Sequence, residues 1–315
     1  MKIRRAYLIE PGRFEVREED INPTDDQLIV KVSVCGLCNW ELNHFKGLLG
    51  TCPMALGHEW AGIVVWTGKN TKKFAIGDAV TGYGSGGFAD YITVFEKDCY
   101  KLSKNVDPKY ALGEPLKCIV TVLRAAAPEA GDYGVVLGCG PMGLWCIQVL
   151  ANNLLGALIA IDVDDKKLTL ARRFGATHII NSKRENVIQK IANITNGNMA
   201  DFLIEGTGKP ALIGTSMSYM KTGRGRLIVM SSHKDAAGEF DFREAIEKGL
   251  EIRVAHPAYS LNQYDDMRRA VQLINNGTFK VEETISHTFR LDEIQTAFEI
   301  LDNKPKNYIK GIVIP

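Results

Sequence analysis

The chain has 315 residues, of which 45% are hydrophobic and 24% are charged, and its formal net charge at pH 7 is +1. These values are typical of a globular protein with roughly two domains, and they exclude the basic excess of a nucleic-acid-binding protein. The sequence contains no apolar run long enough to cross a membrane, and its basic start lacks the apolar stretch of a secretion signal. We therefore expect a cytoplasmic protein that binds neither nucleic acid nor membrane.

Up to about residue 120, short β-like segments alternate with turn signals. Clear examples lie at 27–34, 61–68 and 88–94, and glycines are dense at 81–87. Short strands separated by glycine-rich turns indicate a small, mostly β domain. The odd number of cysteines, seven in the chain, argues against a disulfide framework in a protein of this size.

From about residue 131 to 255, apolar strands alternate with helical patterns. The predicted strands are 133–138, 157–162, 177–180, 201–206 and 226–232, and the predicted helices are 141–153, 164–175, 184–195 and 210–220. Strands that are apolar throughout are typical of a sheet covered by helices on both faces. The alternation predicts an α/β fold with a doubly wound parallel sheet. A strand and a helix follow at 284–301, and we expect a last strand at 308–315 to return to the first domain.

A glycine-rich turn, Gly-Cys-Gly-Pro-Met-Gly, follows the first strand of this second half and opens a helix. Gly138 allows the tight turn, Gly140 lets the backbone approach a pyrophosphate, and Gly143 lets the helix pack closely on the strand. The free N–H groups at the start of a helix bind phosphate, and proline suits that first turn. We predict that the whole turn contacts a dinucleotide: Gly138, Cys139, Gly140, Pro141, Met142 and Gly143. The alternative is a glycine-rich turn without a ligand.

Asp162 lies at the end of the second strand, where dinucleotide-binding folds carry an acidic residue. Its carboxylate would accept hydrogen bonds from the ribose hydroxyls and would repel a 2′-phosphate. We therefore predict NAD rather than NADP as the cofactor. Lys167 is close enough in sequence to approach the ribose, which weakens that preference slightly.

Candidate metal ligands occur in the first half. Cys38 closes a Cys-x-x-Cys pair with Cys35, His58 and Glu59 follow some twenty residues later, and Glu114 stands just before the dinucleotide-binding half. A catalytic zinc site needs three protein ligands and an open position, and these residue types supply them. Each piece also has an interpretation that involves no catalytic zinc. The Cys-x-x-Cys pair could be half of a structural zinc site or a redox pair. His58 and Glu59 could form a buried hydrogen bond, and Glu114 could simply start a helix. However, the sequence has no second Cys-x-x-Cys pair, and no βαβ unit surrounds this one.

Taken together, these motifs resemble the medium-chain dehydrogenase/reductase superfamily, and within it the zinc-dependent sorbitol and polyol dehydrogenases. The motifs are C-G-L-C at 35–38, P-M-A-L-G-H-E at 53–59, I-G-D-A-V at 76–80, G-E-P-L at 113–116 and G-C-G-P-M-G at 138–143. The resemblance covers nearly the whole chain. It implies a GroES-like catalytic domain at 1–118, completed by 284–315, and a Rossmann NAD-binding domain at 119–283.

The resemblance also implies a ligand set for a catalytic zinc. Cys38, His58 and Glu114 would bind the metal, and Glu59 would be a neighbouring carboxylate that either ligates directly or exchanges with water. Glutamate at position 114 is typical of the polyol dehydrogenases, whereas the liver-type alcohol dehydrogenases carry cysteine there. Cys118 is a less well spaced substitute, and Cys35 matches a position that is frequently not a ligand.

The chain departs from the family's pattern in three ways. The stretch after Val80 lacks the run of cysteines that binds a structural zinc in many relatives, so we expect one catalytic zinc and no structural zinc. Trp40 stands where the family carries a proton-relay serine or threonine, and it could instead line the pocket or stack on a flat ring. Asn43 replaces a frequent histidine, so His44, one place further on, becomes a candidate for the relay; the alternative is a surface histidine.

The resemblance implies an enzyme that transfers hydride from a secondary alcohol or polyol to NAD and yields a ketone and NADH. Zinc acts there as a Lewis acid on the substrate hydroxyl, with Glu59 and His44 as candidate catalytic groups. Two alternatives are a zinc-free reductase of the same fold, acting on quinones or alkenes, and a non-catalytic redox sensor; the intact ligand set argues against both. Relatives are commonly dimers or tetramers, so we expect a homo-oligomer.

Overall fold

The computed structural model describes residues 1–151, 155–231 and 240–315. These residues form two compact units. The first consists of Met1–Lys117 and Met267–Pro315, and the second is Cys118–Asp266. The sequence predicts that the second domain ends at residue 283. In the structure the boundary falls inside a helix, Gln263–Asn275, whose Asn275 side chain accepts a hydrogen bond from Ser103 N of the first unit.

The elements are numbered along the chain. The strands are β1 (Lys2–Glu10), β2 (Arg13–Asp20), β3 (Gln27–Gly36), β4 (Met54–Ala55), β5 (Trp60–Thr67), β6 (Ala79–Gly82), β7 (Tyr91–Phe95), β8 (Cys99–Lys101), β9 (Tyr133–Leu137), β10 (Ala157–Asp162), β11 (His178–Asn181), β12 (Phe202–Glu205), β13 (Arg226–Val229), β14 (Glu251–Val254), β15 (Ile285–Arg290) and β16 (Lys310–Ile314). The helices are α1 (Asn39–Phe45), α2 (Gly113–Ala126), α3 (Pro141–Leu150), α4 (Asp165–Arg173), α5 (Val187–Ile194), α6 (Pro210–Met217), α7 (Phe242–Lys248), α8 (Gln263–Asn275) and α9 (Ile294–Asn303).

The first unit is built mainly from antiparallel strands. A large sheet has the order β15-β16-β3-β5-β6-β8, with β7 also paired to β3, and a small sheet has the order β2-β1-β4. The last strand, β16, pairs with the end of β3, so the predicted return of the tail to the first domain is confirmed. Side chains such as Leu28, Trp60 and Phe88 are fully buried in this unit's core.

Two connections in the first unit bring distant parts of the sequence together. The end of β3 pairs with the start of β5, where Cys35 is opposite Trp60 and Gly36 N donates to Glu59 O at 2.8 Å. At the start of α2, Gly113 N donates to Thr81 Oγ1, which itself donates to Trp60 O at 2.7 Å. A Cβ atom on Gly113 would lie only 2.6 Å from Thr81 Cγ2, so this approach requires glycine.

The second unit is a parallel sheet with the order β11-β10-β9-β12-β13-β14. The order reverses beside β9, which is where nucleotide-binding α/β folds place their ligand. The core strands are buried along their length, as at Val135 in β9 and Ile159 in β10. The predicted doubly wound α/β fold is therefore confirmed. The predicted helix 141–153 ends at Leu150, and its residues 152 and 153, like residue 232 of the predicted strand 226–232, lie outside the described residues.

The sequence analysis did not identify α1, α7, α8 or β14. The helix α7 buries none of its side chains, and β14 exposes Val254 on an edge of the sheet, so neither has the continuous apolar pattern of a core element. Among the described residues, no helix has the length and apolar content that a membrane crossing requires.

Candidate metal centre and nucleotide-binding turn

Three possible metal ligands meet in the first unit. Cys38 Sγ, one ring nitrogen of His58 and one carboxylate oxygen of Glu59 all lie within 4.8 Å of one another. The β3–β5 pairing explains the meeting, because Cys38 follows the end of β3 and His58 and Glu59 precede the start of β5. Cys38 also caps α1, where its sulfur accepts a hydrogen bond from Trp40 N at 3.5 Å.

Among the described residues Glu114 is not a member of that group of ligand atoms, but from the first turn of α2 it comes close to one of them, His58. Its Oε2 atom lies 3.6 Å from His58 Nε2. Zinc bonds to nitrogen and oxygen ligands are about 2.0–2.2 Å long, so neighbouring ligand atoms of a tetrahedral site are about 3.4 Å apart. The separation between Glu114 and His58 therefore fits two ligands of one metal ion.

Glu41, which the sequence analysis missed, orients His58. One carboxylate oxygen of this fully buried side chain accepts hydrogen bonds from Gly57 N at 2.6 Å and His58 N at 3.1 Å, and it lies 2.9 Å from His58 Nδ1. A carboxylate can only accept, so Nδ1 carries the proton and a neutral ring keeps the lone pair on Nε2. The signal was present in the sequence, because Glu41 lies three residues after Cys38, one helical turn along α1.

Glu59 has a buried partner that comes from the end of the chain. Lys310 Nζ donates to Glu59 Oε2 at 2.5 Å and to Leu37 O at 2.9 Å, and both charged side chains are buried. The tail strand β16 carries Lys310 to this point by pairing with β3. A single lysine in an apolar final strand gives no sequence signal for a partner so far along the chain.

The pKa values of all three grouped side chains are raised. Burial raises the pKa of the Cys38 thiol, and the Glu59 carboxylate raises it further. Burial also raises the pKa of Glu59, although Lys310 acts in the opposite direction. Burial alone would lower the pKa of His58, but Glu41 and Cys38 raise it well above its usual value. A divalent cation would stabilise the thiolate directly.

The donor set therefore fits zinc: one sulfur, one imidazole nitrogen and carboxylate oxygens, with the histidine held from behind by a carboxylate. Two of the nearby cysteines stand apart from this set. Cys35 is buried in β3 and, within the part of the chain that is described, does not belong to the group of ligand atoms. Cys118 is likewise outside that group of ligand atoms among the described residues.

Trp40 contacts two histidines beside this group. Its ring centroid lies 5.3 Å from that of His58 and 4.3 Å from that of His44, and both contacts are edge-on. Half of the Trp40 side chain is exposed, whereas His44 is buried. Neither ring nitrogen of His44 has a hydrogen-bond partner among the described residues, so no direct hydrogen bond joins it to the candidate ligands there.

In the second unit, the glycine-rich turn has the geometry of a phosphate-binding turn. Gly138 has a φ of +99°, and a Cβ atom on Gly143 would lie 2.0 Å from Gly138 O. Gly140 is the N-cap of α3, and Pro141 is its first residue. The backbone therefore requires glycine at 138 and 143. Among the described residues no side chain caps the start of α3, which leaves its N–H groups available to a phosphate.

Asp162 lies at the carboxyl end of β10 and contacts the glycine-rich turn directly. Its Oδ2 accepts a hydrogen bond from Cys139 N at 2.7 Å, and its Oδ1 accepts from Val163 N and Asp164 N. A carboxylate offers about four acceptor positions, so these three donors leave capacity for a ribose hydroxyl. Lys167 lies on the following helix, α4.

Comparisons with known proteins agree with both halves of this description. Residues 24–104 match the alcohol dehydrogenase GroES-like domain, and residues 141–276 match the zinc-binding dehydrogenase domain. The chain is 26% identical over 312 residues to D-arabitol-phosphate dehydrogenase from Enterococcus avium, which covers 88% of this chain and 87% of the relative. It is 25% identical over 310 residues to L-threonine 3-dehydrogenase from Bacillus subtilis, with 87% and 88% covered.

Solved structures give the same assignment of the fold. The crystal structure of 2R,3R-butanediol dehydrogenase from Bacillus subtilis superposes with a TM-score of 0.87 over 99% of each chain, at 23% sequence identity. The two domain matches and the dehydrogenase relatives span the GroES-like half as well as the nucleotide-binding half. The chain therefore belongs to the zinc-type alcohol and polyol dehydrogenases of the medium-chain dehydrogenase/reductase superfamily, a family of oxidoreductases that use zinc and a nicotinamide cofactor.

Proposed function

We propose that the protein oxidises a secondary alcohol or polyol to the ketone and reduces NAD, using one zinc ion bound by Cys38, His58 and Glu114. The observation that supports this most directly is the geometry around His58. Its Nε2 atom lies 3.6 Å from Glu114 Oε2, while its Nδ1 atom lies 2.9 Å from Glu41 Oε1. When bound, the zinc supplies a Lewis acid that lowers the pKa of the substrate hydroxyl.

Charge balance supports this choice of ligands. A Cys38 thiolate and a Glu114 carboxylate together neutralise the charge of a divalent zinc ion if His58 is neutral. Glu59 has its own counter-charge, because Lys310 Nζ lies 2.5 Å from its Oε2 atom. We therefore propose that Glu59 is the neighbouring carboxylate of the site, close enough to ligate but held by Lys310, rather than a permanent ligand.

His44 is the proposed proton acceptor that replaces the family's relay. Its place beside the candidate ligands supports this role, because the Trp40 ring contacts both His44 and His58, with 4.3 Å and 5.3 Å between the ring centroids. A neutral imidazole can accept a proton on one nitrogen and release one from the other at neutral pH. Trp40, half exposed and edge-on to His58, is then a wall of the substrate site.

The nucleotide-binding turn supports NAD as the cofactor. We propose that Gly138, Gly140 and Gly143 let the backbone receive the pyrophosphate and that Asp162 binds the ribose hydroxyls. The contact between Asp162 Oδ2 and Cys139 N supports this, because it places a carboxylate against the turn that receives the phosphates. A 2′-phosphate at the same position would face that carboxylate and be repelled. The remaining members of the turn, Cys139, Pro141 and Met142, and Lys167 on α4 complete the proposed cofactor site.

The names of the relatives support small alcohols as substrates, since they include a sugar-alcohol phosphate dehydrogenase, a threonine dehydrogenase and a butanediol dehydrogenase. We propose a small-molecule alcohol or polyol for this chain as well. No disulfide bond joins any two of the seven cysteines, which supports a cytoplasmic location, where thiols stay reduced. The stretch after Val80 contains no run of cysteines, which supports a single zinc per chain. A homo-oligomer, either dimer or tetramer, remains our expectation for the assembly.

The metal content of the purified protein tests the central proposal. We expect about one zinc per chain in the wild type and a strongly reduced content in Cys38→Ala and Glu114→Ala, because each removes one of three protein ligands. Cys118→Ala is the matched control, and it should retain the wild-type content. A wild type without zinc would overturn the proposal and favour a zinc-free reductase or a redox sensor. Zinc loss in Cys118→Ala but not in Glu114→Ala would make Cys118 the third ligand.

Replacing Glu41 tests how His58 is held. Glu41→Gln keeps an oxygen that accepts hydrogen bonds from the backbone but removes the charge opposite Nδ1, so we expect zinc to bind about 10-fold more weakly. The measurement is the zinc dissociation constant of the metal-free protein, obtained by competition with a chelator. Glu19→Gln, a change of the same kind at a partly exposed ion pair with Arg5, is the control. An unchanged zinc affinity in Glu41→Gln would show that the carboxylate does not support the ligand.

Replacing Asp162 tests the preference for NAD without requiring the substrate. In Asp162→Asn we expect NADH to bind about 10-fold more weakly and NADPH to bind as well as or better than in the wild type, because a charged hydrogen bond to the ribose and a repulsion are both lost. Titration of each reduced nucleotide by fluorescence gives the two dissociation constants. Asp164→Asn, which alters the N-cap of α4, should leave their ratio unchanged. Equal effects on both nucleotides would contradict the assignment of Asp162.

A further inference from the structure

Lys117 is a buried lysine directly beside the proposed ligand Glu114, and the proposed function does not use it. The two residues are three apart on α2, so their side chains lie on the same face. Lys117 Nζ donates to Glu114 Oε1 at 2.8 Å, and the side chains are only 5% and 15% exposed. Lysine is almost never buried unless it is paired, so this contact stabilises the placement of both side chains.

An aromatic ring holds the same ammonium group from another direction. Lys117 Nζ lies 5.3 Å from the centre of the Tyr83 ring, within the range of a cation–π interaction. The Tyr83 ring is itself edge-on to Tyr100, with 6.4 Å between the centroids. The lysine therefore has a defined position from which to hold the Glu114 carboxylate.

The two carboxylate oxygens of Glu114 have different neighbours. Oε1 contacts Lys117, while Oε2 lies 3.6 Å from His58 Nε2 and faces the candidate ligands. We infer that Lys117 is a positioning residue: it holds Oε1 so that Glu114 offers a single oxygen to the zinc, which leaves a coordination position open for the substrate oxygen. This inference rests on the proposed function, since it takes Glu114 as a zinc ligand.

Lys117 also changes the charge that the site presents to a cation. Glu59 and Glu114 each have a buried ammonium group at hydrogen-bonding distance, Lys310 and Lys117 respectively. A positive charge this close to a ligand opposes the binding of a divalent cation. The lysine therefore lowers the affinity of the site for zinc while it keeps a coordination position open, and its removal should tighten zinc binding. A residue that served only to stabilise the fold would not have this effect.

The test uses the full chain, freed of metal and titrated with zinc alone in competition with a chelator. Lys117→Met removes the charge at similar side-chain length, and Lys117→Arg retains it. Lys221→Met removes the lysine of another partly buried pair, with Asp201 in the second unit, and is the matched control. Cobalt(II) replaces zinc in a second measurement, because its visible absorption weakens when the metal changes from four ligands to five. Lys117→Gln, a smaller change, carries the same test if the methionine variant does not fold.

We expect Lys117→Met to bind zinc about 10-fold more tightly than the wild type, because a positive charge beside a ligand is removed. Its cobalt absorption should weaken, because Glu114 then binds through both oxygens. Lys117→Arg and Lys221→Met should resemble the wild type in both measurements. A zinc dissociation constant in Lys117→Met that equals or exceeds that of the wild type would overturn the inference while leaving the proposed function intact. A wild type that binds no zinc would instead overturn the proposed function, and this inference with it.

Discussion

The buried carboxylate of Glu41 is the constraint on which the candidate metal centre depends. A single oxygen binds the backbone N–H groups of Gly57 and His58 and also faces the His58 ring. It therefore fixes both the chain and the side chain at this position. The same residue belongs to α1, whose N-cap is Cys38, so one short helix determines the placement of two candidate ligands. Without this contact, the lone pair of Nε2 would have no fixed direction.

Buried charge of both signs surrounds the candidate ligands, and each carboxylate there has a partner of its own. Glu41 is matched by His58, Glu59 by Lys310 and Glu114 by Lys117. Burying a charge without such a partner costs free energy, so removing one member of a pair destabilises the fold because the remaining charge stays buried and unpaired. This arrangement explains how a small β domain keeps several acidic groups within reach of one cation. In the second unit, backbone N–H groups take the place of a counter-charge, because they donate hydrogen bonds to the Asp162 carboxylate beside the glycine-rich turn.

Much of the fold could be predicted from the sequence, because the strands β9, β10 and β12 are apolar throughout and are followed by helical patterns. Cys38, His58 and Glu59 could be grouped because their motifs are specific, and the structure brings their ligand atoms together. The partners of these residues could not be predicted. Lys310 reaches Glu59 only through the pairing of β16 with β3, and that register is not encoded near either residue. The helix α7 was missed for a different reason, since it is only seven residues long and its large apolar side chains, Phe242 and Ile246, are exposed rather than part of a core.

The coordination shell of the metal is the most direct test of this account. X-ray absorption at the zinc edge of the zinc-loaded full chain reports the number and type of ligand atoms without any knowledge of the substrate. The account predicts one sulfur at about 2.3 Å, from Cys38, with the remaining ligands nitrogen or oxygen at about 2.0–2.2 Å. A shell with two sulfur atoms would bring Cys35 or Cys118 into the site, and a shell without sulfur would exclude Cys38. Either result would contradict the proposed ligand set.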